Sequence, residues 1–170
     1  MKYFSGFCFQ NEEELFNSYL EHNDFCVAGF SYGAIKAFEY SSTCRDRIDK
    51  LQLFSPAFFQ DFSDKFRRLQ TMSFGKNKNR YIEKFFSQVK YPSELSLDRY
   101  FNEGNIAQLE ELLNYVWNAE RLNELVKKGI EIEVYMGEKD KIINPDSALK
   151  FFRPFANVYY IKSVGHLLNK

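Results

Sequence analysis

Residues 29–33 read Gly29-Phe30-Ser31-Tyr32-Gly33, and their flanks differ in character on the two sides. Before them, 24–28 is a short apolar run of strand type. After them, 34–40 carries Ile35 and Phe38 among good helix formers, at helical spacing. A strand that breaks this abruptly into a helix must turn within one or two residues. Glycines are required there because a Cβ would collide with the neighbouring strand and helix. The serine at the break sits on a strained turn, and the free N–H groups at the start of the following helix favour negative charge developing beside it. Few folds accommodate such a turn, and a hydroxyl placed there is inert without a base.

The rest of the chain offers candidates for that base. At 170 residues and 45% hydrophobic content it suits one globular domain with a sizeable core. The 19 Phe and 11 Tyr predict a core of large flat side chains, some of them lining a pocket. Net charge is zero, which argues against nucleic acid as the main partner. Cys8, Cys26 and Cys44 lack metal-ligand spacing and are odd in number, as expected of buried thiols in a reducing cytoplasm. No signal peptide, membrane-spanning run or internal repeat is visible, so a cytoplasmic location, no membrane association and no metal or other cofactor are the expectations.

Taken in order, 2–9 reads as an apolar strand opening at Gly6 into a turn. Asn11 is a plausible N-cap of a helix running to about residue 20, with Glu12, Glu13 and Glu14 in its first turn. His22 stands among polar loop residues and reads as a surface side chain. After the serine helix, 48–54 is a strand closed by Ser55-Pro56. Residues 57–128 are helical in pattern, with apolar spacing at Phe62, Phe66 and Leu69, at Tyr81, Phe85 and Val89, and from Ile106 to Trp117. Gly129 ends a helix, 131–136 alternates as a strand, Asn144-Pro145 opens a short helix to Phe152, and 157–161 is the last strand. Strands alternating with helices predict a parallel α/β sheet, whose site lies at the carboxyl ends of the strands. Ser31, Asp140 and His166 each follow a predicted strand, which places them on one edge. His166 can take the serine proton as general base, and Asp140 can hold the imidazole in the right tautomer.

Through Gly29-Phe30-Ser31-Tyr32-Gly33, Gly137-Glu138-Lys139-Asp140 with Pro145 beyond, and Gly165-His166, the chain resembles the α/β-hydrolase family along essentially its whole length. The resemblance implies a reduced α/β-hydrolase fold of about five parallel strands, with a core of 1–56 and 129–170 and a helical cap insert at 57–128. It implies Ser31 as nucleophile, Asp140 as acid, His166 as base, and the backbone N–H groups of Tyr32 and Phe7 as the oxyanion hole. Ser5-Gly6-Phe7-Cys8 looks like a worn His-Gly-x-Gly loop. More narrowly, Phe4-Ser5-Gly6-Phe7, the run from Gly29 to Ala37, Leu53-Phe54-Ser55-Pro56 and His166-Leu167-Leu168 resemble the BioV-type pimeloyl-acyl carrier protein methyl ester esterases. That likeness implies a serine carboxylesterase of biotin synthesis, acting on a small-molecule methyl ester attached to acyl carrier protein.

Within the cap, Lys65, Arg67, Arg68, Lys76, Lys78 and Arg80 occur with no acidic residue between the first and the last. Such a patch would steer an acidic carrier protein. The same triad would serve a thioesterase or a general carboxylesterase, and a non-catalytic carrier-protein binding module is the reading from another class. Residues between the first strand and Ser31 suffice for a single helix, so strands usual in the family are missing. Successive right-handed crossovers would then put the helices on one face of the sheet and leave the other short of cover. Self-association or an unusual packing of the cap could cover it.

Overall fold

In the computed structural model, which describes Met1–Lys170, five strands lie side by side in chain order and all run parallel. They are β1 (Lys2–Phe4), β2 (Cys26–Phe30), β3 (Lys50–Phe54), β4 (Glu131–Gly137) and β5 (Asn157–Ile161). The helices are α1 (Tyr32–Thr43), α2 (Asp64–Lys76), α3 (Lys78–Lys90), α4 (Ile106–Asn114), α5 (Ala119–Lys127) and α6 (Pro145–Phe152). None is long and apolar enough to cross a membrane.

The register explains how the two faces divide. Val27, Leu51 and Ile132 lie level across three strands, as do Phe30, Phe54 and Tyr135. Side chains alternate along a strand, so the first row points to one face and the second to the other. On the first face Leu51, Leu53, Ile132 and Val134 pack with Ala34 and Phe38 of α1, Leu122 and Leu125 of α5, and Ala148 and Phe152 of α6. Each of the large side chains in this set contributes roughly 1.5–3 kcal/mol through its burial. Thus α5, the last of the four helices between 57 and 128, lies on the sheet, while α2, α3 and α4 rise from its carboxyl edge.

The second face is covered without any α-helix of the sheet layer. Phe16 stacks on Phe54 with ring centroids 4.8 Å apart, and Phe54 stacks on Tyr135 at 5.1 Å. Leu20, the cap residues Val89, Leu97 and Tyr100, and the C-terminal Val164, Leu167 and Leu168 complete this second core. The cap's return path therefore covers much of the face that helical crossovers leave bare. The step from β1 to β2 crosses this second face, whereas the later steps cross the first, although every step moves the same way across the sheet. Its hand is consequently opposite to that of the helical crossovers. A short 3₁₀ turn, Glu12–Phe16, makes this connection.

Several local expectations need correction. β1 ends at Phe4 because Gly6 to Phe9 form a turn closed by Phe9 N–H donating to the Gly6 carbonyl at 3.1 Å. Asn11 does not cap a helix. It adopts a left-handed conformation (φ 54°) with no side-chain cap bond, and only the 3₁₀ turn follows. The segment from Ile106 to Trp117 is helical only to Asn114, after which Trp117 turns inward and its indole N–H donates to the Ala57 carbonyl at 2.9 Å. Cys8 and Cys26 are buried free thiols, but Cys44 is half-buried. His22, by contrast, is exposed as its polar loop neighbours predict.

The turn at Ser31 is packed to contact. A Cβ at Gly33 would stand 1.9 Å from the Phe4 carbonyl oxygen, and one at Gly29 would stand 2.2 Å from the Gly33 carbonyl oxygen. Gly75, in the last turn of α2, has nothing within 4 Å of such a Cβ. Urea denaturation followed by circular dichroism should therefore show Gly33→Ala losing about 3 kcal/mol or more. Gly75→Ala should gain about 0.5 kcal/mol. A Gly33→Ala protein as stable as the parent would contradict this packing.

Candidate active site

Ser31 directly follows β2 with φ 53° and ψ −112°, a conformation that a non-glycine residue holds only under constraint. Three backbone bonds supply it. Ser31 N–H donates to the Phe54 carbonyl at 2.9 Å, and the Ser31 carbonyl accepts from Ala34 and Ala57, each at 3.1 Å. Strand β3 and the first turn of α1 thus grip the serine from both sides, and its hydroxyl projects from the sheet's carboxyl edge.

His166 and Asp140 arrive from the loops after β5 and β4. His166 Nε2 lies 2.9 Å from Ser31 Oγ, and its Nδ1 lies 2.6 Å from Asp140 Oδ2. An ionised carboxylate only accepts, so Nδ1–H donates to Asp140, leaving the Nε2 lone pair for the serine proton. The other oxygen, Asp140 Oδ1, accepts the backbone N–H of Ile142 at 2.7 Å and of Ile143 at 3.1 Å. Neither the imidazole nor the Asp140 carboxylate has side-chain exposure, so their interaction is little screened by water. The loop that carries the histidine is held by the Ser55 hydroxyl, which donates to the His166 carbonyl at 2.6 Å. At Gly165 a Cβ would meet the Tyr91 carbonyl oxygen at 1.8 Å, so the end of α3 backs directly onto this loop.

The N–H groups of Phe7 and Tyr32 donate to no group of the protein. Tyr32 heads α1, where the first N–H groups have no intrahelical partner. Both are thus available to an oxyanion. The neighbouring Cys8 thiol does not compete as a nucleophile near neutral pH, because burial pushes it up to about 11.

Other groups tie the cap to this centre. The Tyr32 hydroxyl donates to Glu111 of α4 at 2.5 Å, and Lys36 pairs with the same carboxylate. One turn further along α1, Glu39 accepts both Arg121 guanidinium nitrogens at 2.7 and 2.8 Å and the Tyr115 hydroxyl at 2.5 Å. The Arg121 bonds hold the Glu39 carboxyl below its ordinary range. The Phe7 ring meets Phe74 of α2 at 6.2 Å and Phe85 of α3 at 5.7 Å, and Tyr81 meets Phe74 edge-on at 5.4 Å. A separate cleft of about 470 Å³ runs along α3, lined by Ile82, Phe86, Leu95 and Phe101 among others, and none of Ser31, Asp140 and His166 borders it.

The structure brings Ser31, Asp140 and His166 together as one hydrogen-bonded chain and leaves the Phe7 and Tyr32 N–H groups without a protein acceptor. Sequence patterns gave no sign of Ser55, Glu111 or Glu12, because a hydroxyl beside a proline and carboxylates in polar runs look solvated until distant elements close over them. The basic residues divide. Arg67 pairs with Asp64 at 2.5 Å and Lys78 with Glu103 at 2.6 Å, whereas Arg68, Lys76 and Arg80 are exposed and form no ion pair.

A parallel sheet with a serine on a strained strand-to-helix turn, followed in chain order by acid and histidine loops at its carboxyl edge, defines the α/β-hydrolase fold. The sequence matches no protein-family model and no curated protein. Solved structures do match in fold. MenH from S. aureus superposes with a TM-score of 0.62 at 11% identity, over 98% of this chain and 87% of that one. The carboxylesterase CesB from Bacillus subtilis gives 0.57 at 17% identity, over 92% and 57%. Naproxen esterase from the same organism gives 0.54 at 21%, over 84% and 53%. The chain thus spans little more than half the length of these two esterases.

Replacing Ser31 or His166 by alanine should lower kcat for a p-nitrophenyl ester by a factor on the order of 10³ to 10⁶, with little further loss in the double variant. Asp140→Asn should cost about 10² to 10⁴, because the amide favours the wrong imidazole tautomer. Unchanged turnover in Asp140→Asn would move the orienting role to another residue.

Proposed function

We propose that the protein is a serine carboxylesterase that removes the methyl ester from pimeloyl-acyl carrier protein methyl ester in biotin synthesis. The observation that carries the esterase reading is the continuous relay from Asp140 through His166 to Ser31, beside two unpaired N–H groups. In this mechanism His166 Nε2 takes the Ser31 proton as Oγ attacks the ester carbonyl, and the oxyanion accepts from Phe7 and Tyr32 N–H. The imidazolium then protonates the departing methoxide, which leaves as methanol. Water, deprotonated by the same imidazole, attacks the acyl-enzyme, releasing the free carboxylate and restoring Ser31. No cofactor enters the balance.

The substrate assignment rests on the likeness to BioV-type esterases and on two features of the cap. Aromatic side chains of α2 and α3 face the oxyanion loop, as an apolar acyl chain would require. On the outer side, Lys65, Arg68 and Lys76 of α2 and Arg80 of α3 are exposed. They offer unpaired positive charge to an acidic carrier protein, with Arg67 and Lys78 alongside in their own ion pairs. A carrier protein of fatty-acid synthesis as substrate puts the reaction in the cytoplasm.

Purified protein should demethylate pimeloyl-acyl carrier protein methyl ester, and Ser31→Ala should abolish this, as mass spectrometry of the carrier will read. Hydrolysis of p-nitrophenyl butyrate alone would retain the esterase and remove the biotin role. The double variant Arg68→Glu/Arg80→Glu should raise KM for the carrier-bound ester about tenfold and leave the small ester unaffected. Equal effects on both substrates would exclude the proposed docking face.

A further inference from the structure

The connection between β1 and β2 buries a carboxyl group that the triad does not use. Glu12, at the head of the 3₁₀ turn, is fully buried although it lies in a run of three glutamates. Its Oε1 accepts the Gly6 N–H at 2.7 Å and the Tyr3 hydroxyl at 3.3 Å, while its Oε2 has no partner. Burial drives the carboxyl pKa upward against the Gly6 N–H bond, which lowers it. Enclosing a carboxyl group with one oxygen unpaired costs stability. A surface glutamate of no consequence would have turned outward, as the exposed Glu14 side chain does toward Arg99.

What Glu12 holds is the peptide next to the second oxyanion donor. The Gly6 carbonyl and the Phe7 N–H belong to one planar peptide unit and point in opposite directions. Glu12 anchors the preceding unit, Ser5–Gly6, through Gly6 N–H, and Phe9 N–H anchors the Gly6–Phe7 unit itself through the Gly6 carbonyl at 3.1 Å, so the Gly6 α-carbon is held from both sides. With both bonds made, the Gly6–Phe7 unit has little freedom to rotate and the Phe7 N–H direction is set. Two further bonds fix the far side of the loop to the cap, Asn102 N–H to the Cys8 carbonyl at 3.0 Å and Gln10 N–H to the Tyr100 carbonyl at 2.8 Å. Gly6 has no room for adjustment, since a Cβ there would lie 2.7 Å from the Phe30 ring.

We infer that Glu12 is a positioning residue for the oxyanion hole, its carboxyl oxygen holding the Gly6 amide so that Phe7 N–H is aimed at the Ser31 site before substrate arrives. This rests on the serine-esterase reading. Oxyanion donors act only if oriented in advance, and removal of one such donor costs on the order of 10² to 10³ in kcat. A donor left in place but free to rotate should lose a fraction of that.

Three measurements on the full chain test it. Fluorophosphonate labelling of Ser31 in the parent protein comes first, and its failure would remove the esterase reading and this inference with it. With labelling established, Glu12→Met preserves volume and removes the acceptor, whereas Glu12→Gln keeps an oxygen for Gly6. On p-nitrophenyl butyrate, Glu12→Met should lose about tenfold to a hundredfold in kcat, with KM changed less than about twofold. Glu12→Gln should stay within about threefold of the parent in kcat. Thermal melts on the same samples separate loss of fold from loss of turnover. A folded Glu12→Met protein with parental kcat would overturn the inference while leaving the triad intact, and so would Glu12→Gln falling more than tenfold. If Glu12→Met does not fold, the Glu12→Gln result alone decides.

Discussion

The contact between Gly33 and the end of β1 governs the geometry of the whole carboxyl edge. A backbone carbonyl, that of Phe4, occupies the volume a side chain at Gly33 would need, and the Gly33 carbonyl does the same at Gly29. Strand, turn and helix are therefore in close backbone contact, with no room for a side chain between them. Ser31 stands at the apex in a backbone conformation it would not adopt alone. The strain is sustained because Phe54, Ala34 and Ala57 all bind its backbone. The same compression holds the end of β1, at Phe4 and Ser5, against the first turn of α1 directly after Ser31.

Charge at the site is organised by enclosure. Asp140 accepts from His166 and from two backbone amides, so its negative charge is met by donors on every side. Further from Ser31, Glu111 and Glu39 have a comparable role, joining α1 to α4 and α5 through Tyr32, Lys36, Tyr115 and Arg121. These pairs are partly exposed, and each alone contributes little. Their effect is geometric, because they tie the second half of the cap to the helix that begins directly after Ser31. The α2–α3 hairpin has no comparable ties to α1. It meets the core through aromatic rings instead, Phe74 and Phe85 on Phe7, which leaves its outer basic face free.

The reduced strand count has a structural consequence of its own. With the strands in simple chain order, α1, α5 and α6 all fall on one face. The other face is closed by Phe16, the C-terminal Val164–Leu168 stretch and the cap's return path at Val89–Tyr100. The cap thus serves two ends of the molecule at once. Its α2–α3 hairpin packs on Phe7 through Phe74 and Phe85, and its return path seals the sheet.

The sequence alone determined the serine turn, the placing of Asp140 and His166 after later strands, the five strands and the parallel class. These are local or periodic signals: glycines that a tight turn demands, alternation along strands, and motifs at strand ends. Even the close packing behind Gly29 and Gly33 was legible, since only such packing requires glycine at both positions. Tertiary structure decided what depends on distant groups. Glu12, in a run of acids, reads as a solvated first turn until Gly6, Tyr3 and the 3₁₀ turn enclose it. Ser55 becomes a holder of His166 only when β3 and the C-terminal loop meet. Which basic residues remain unpaired depended on Asp64 and Glu103, and Glu103 lies on a separate segment. Sequence patterns record what a residue needs from its neighbours along the chain; burial and pairing across the fold are set by which segments the sheet brings together.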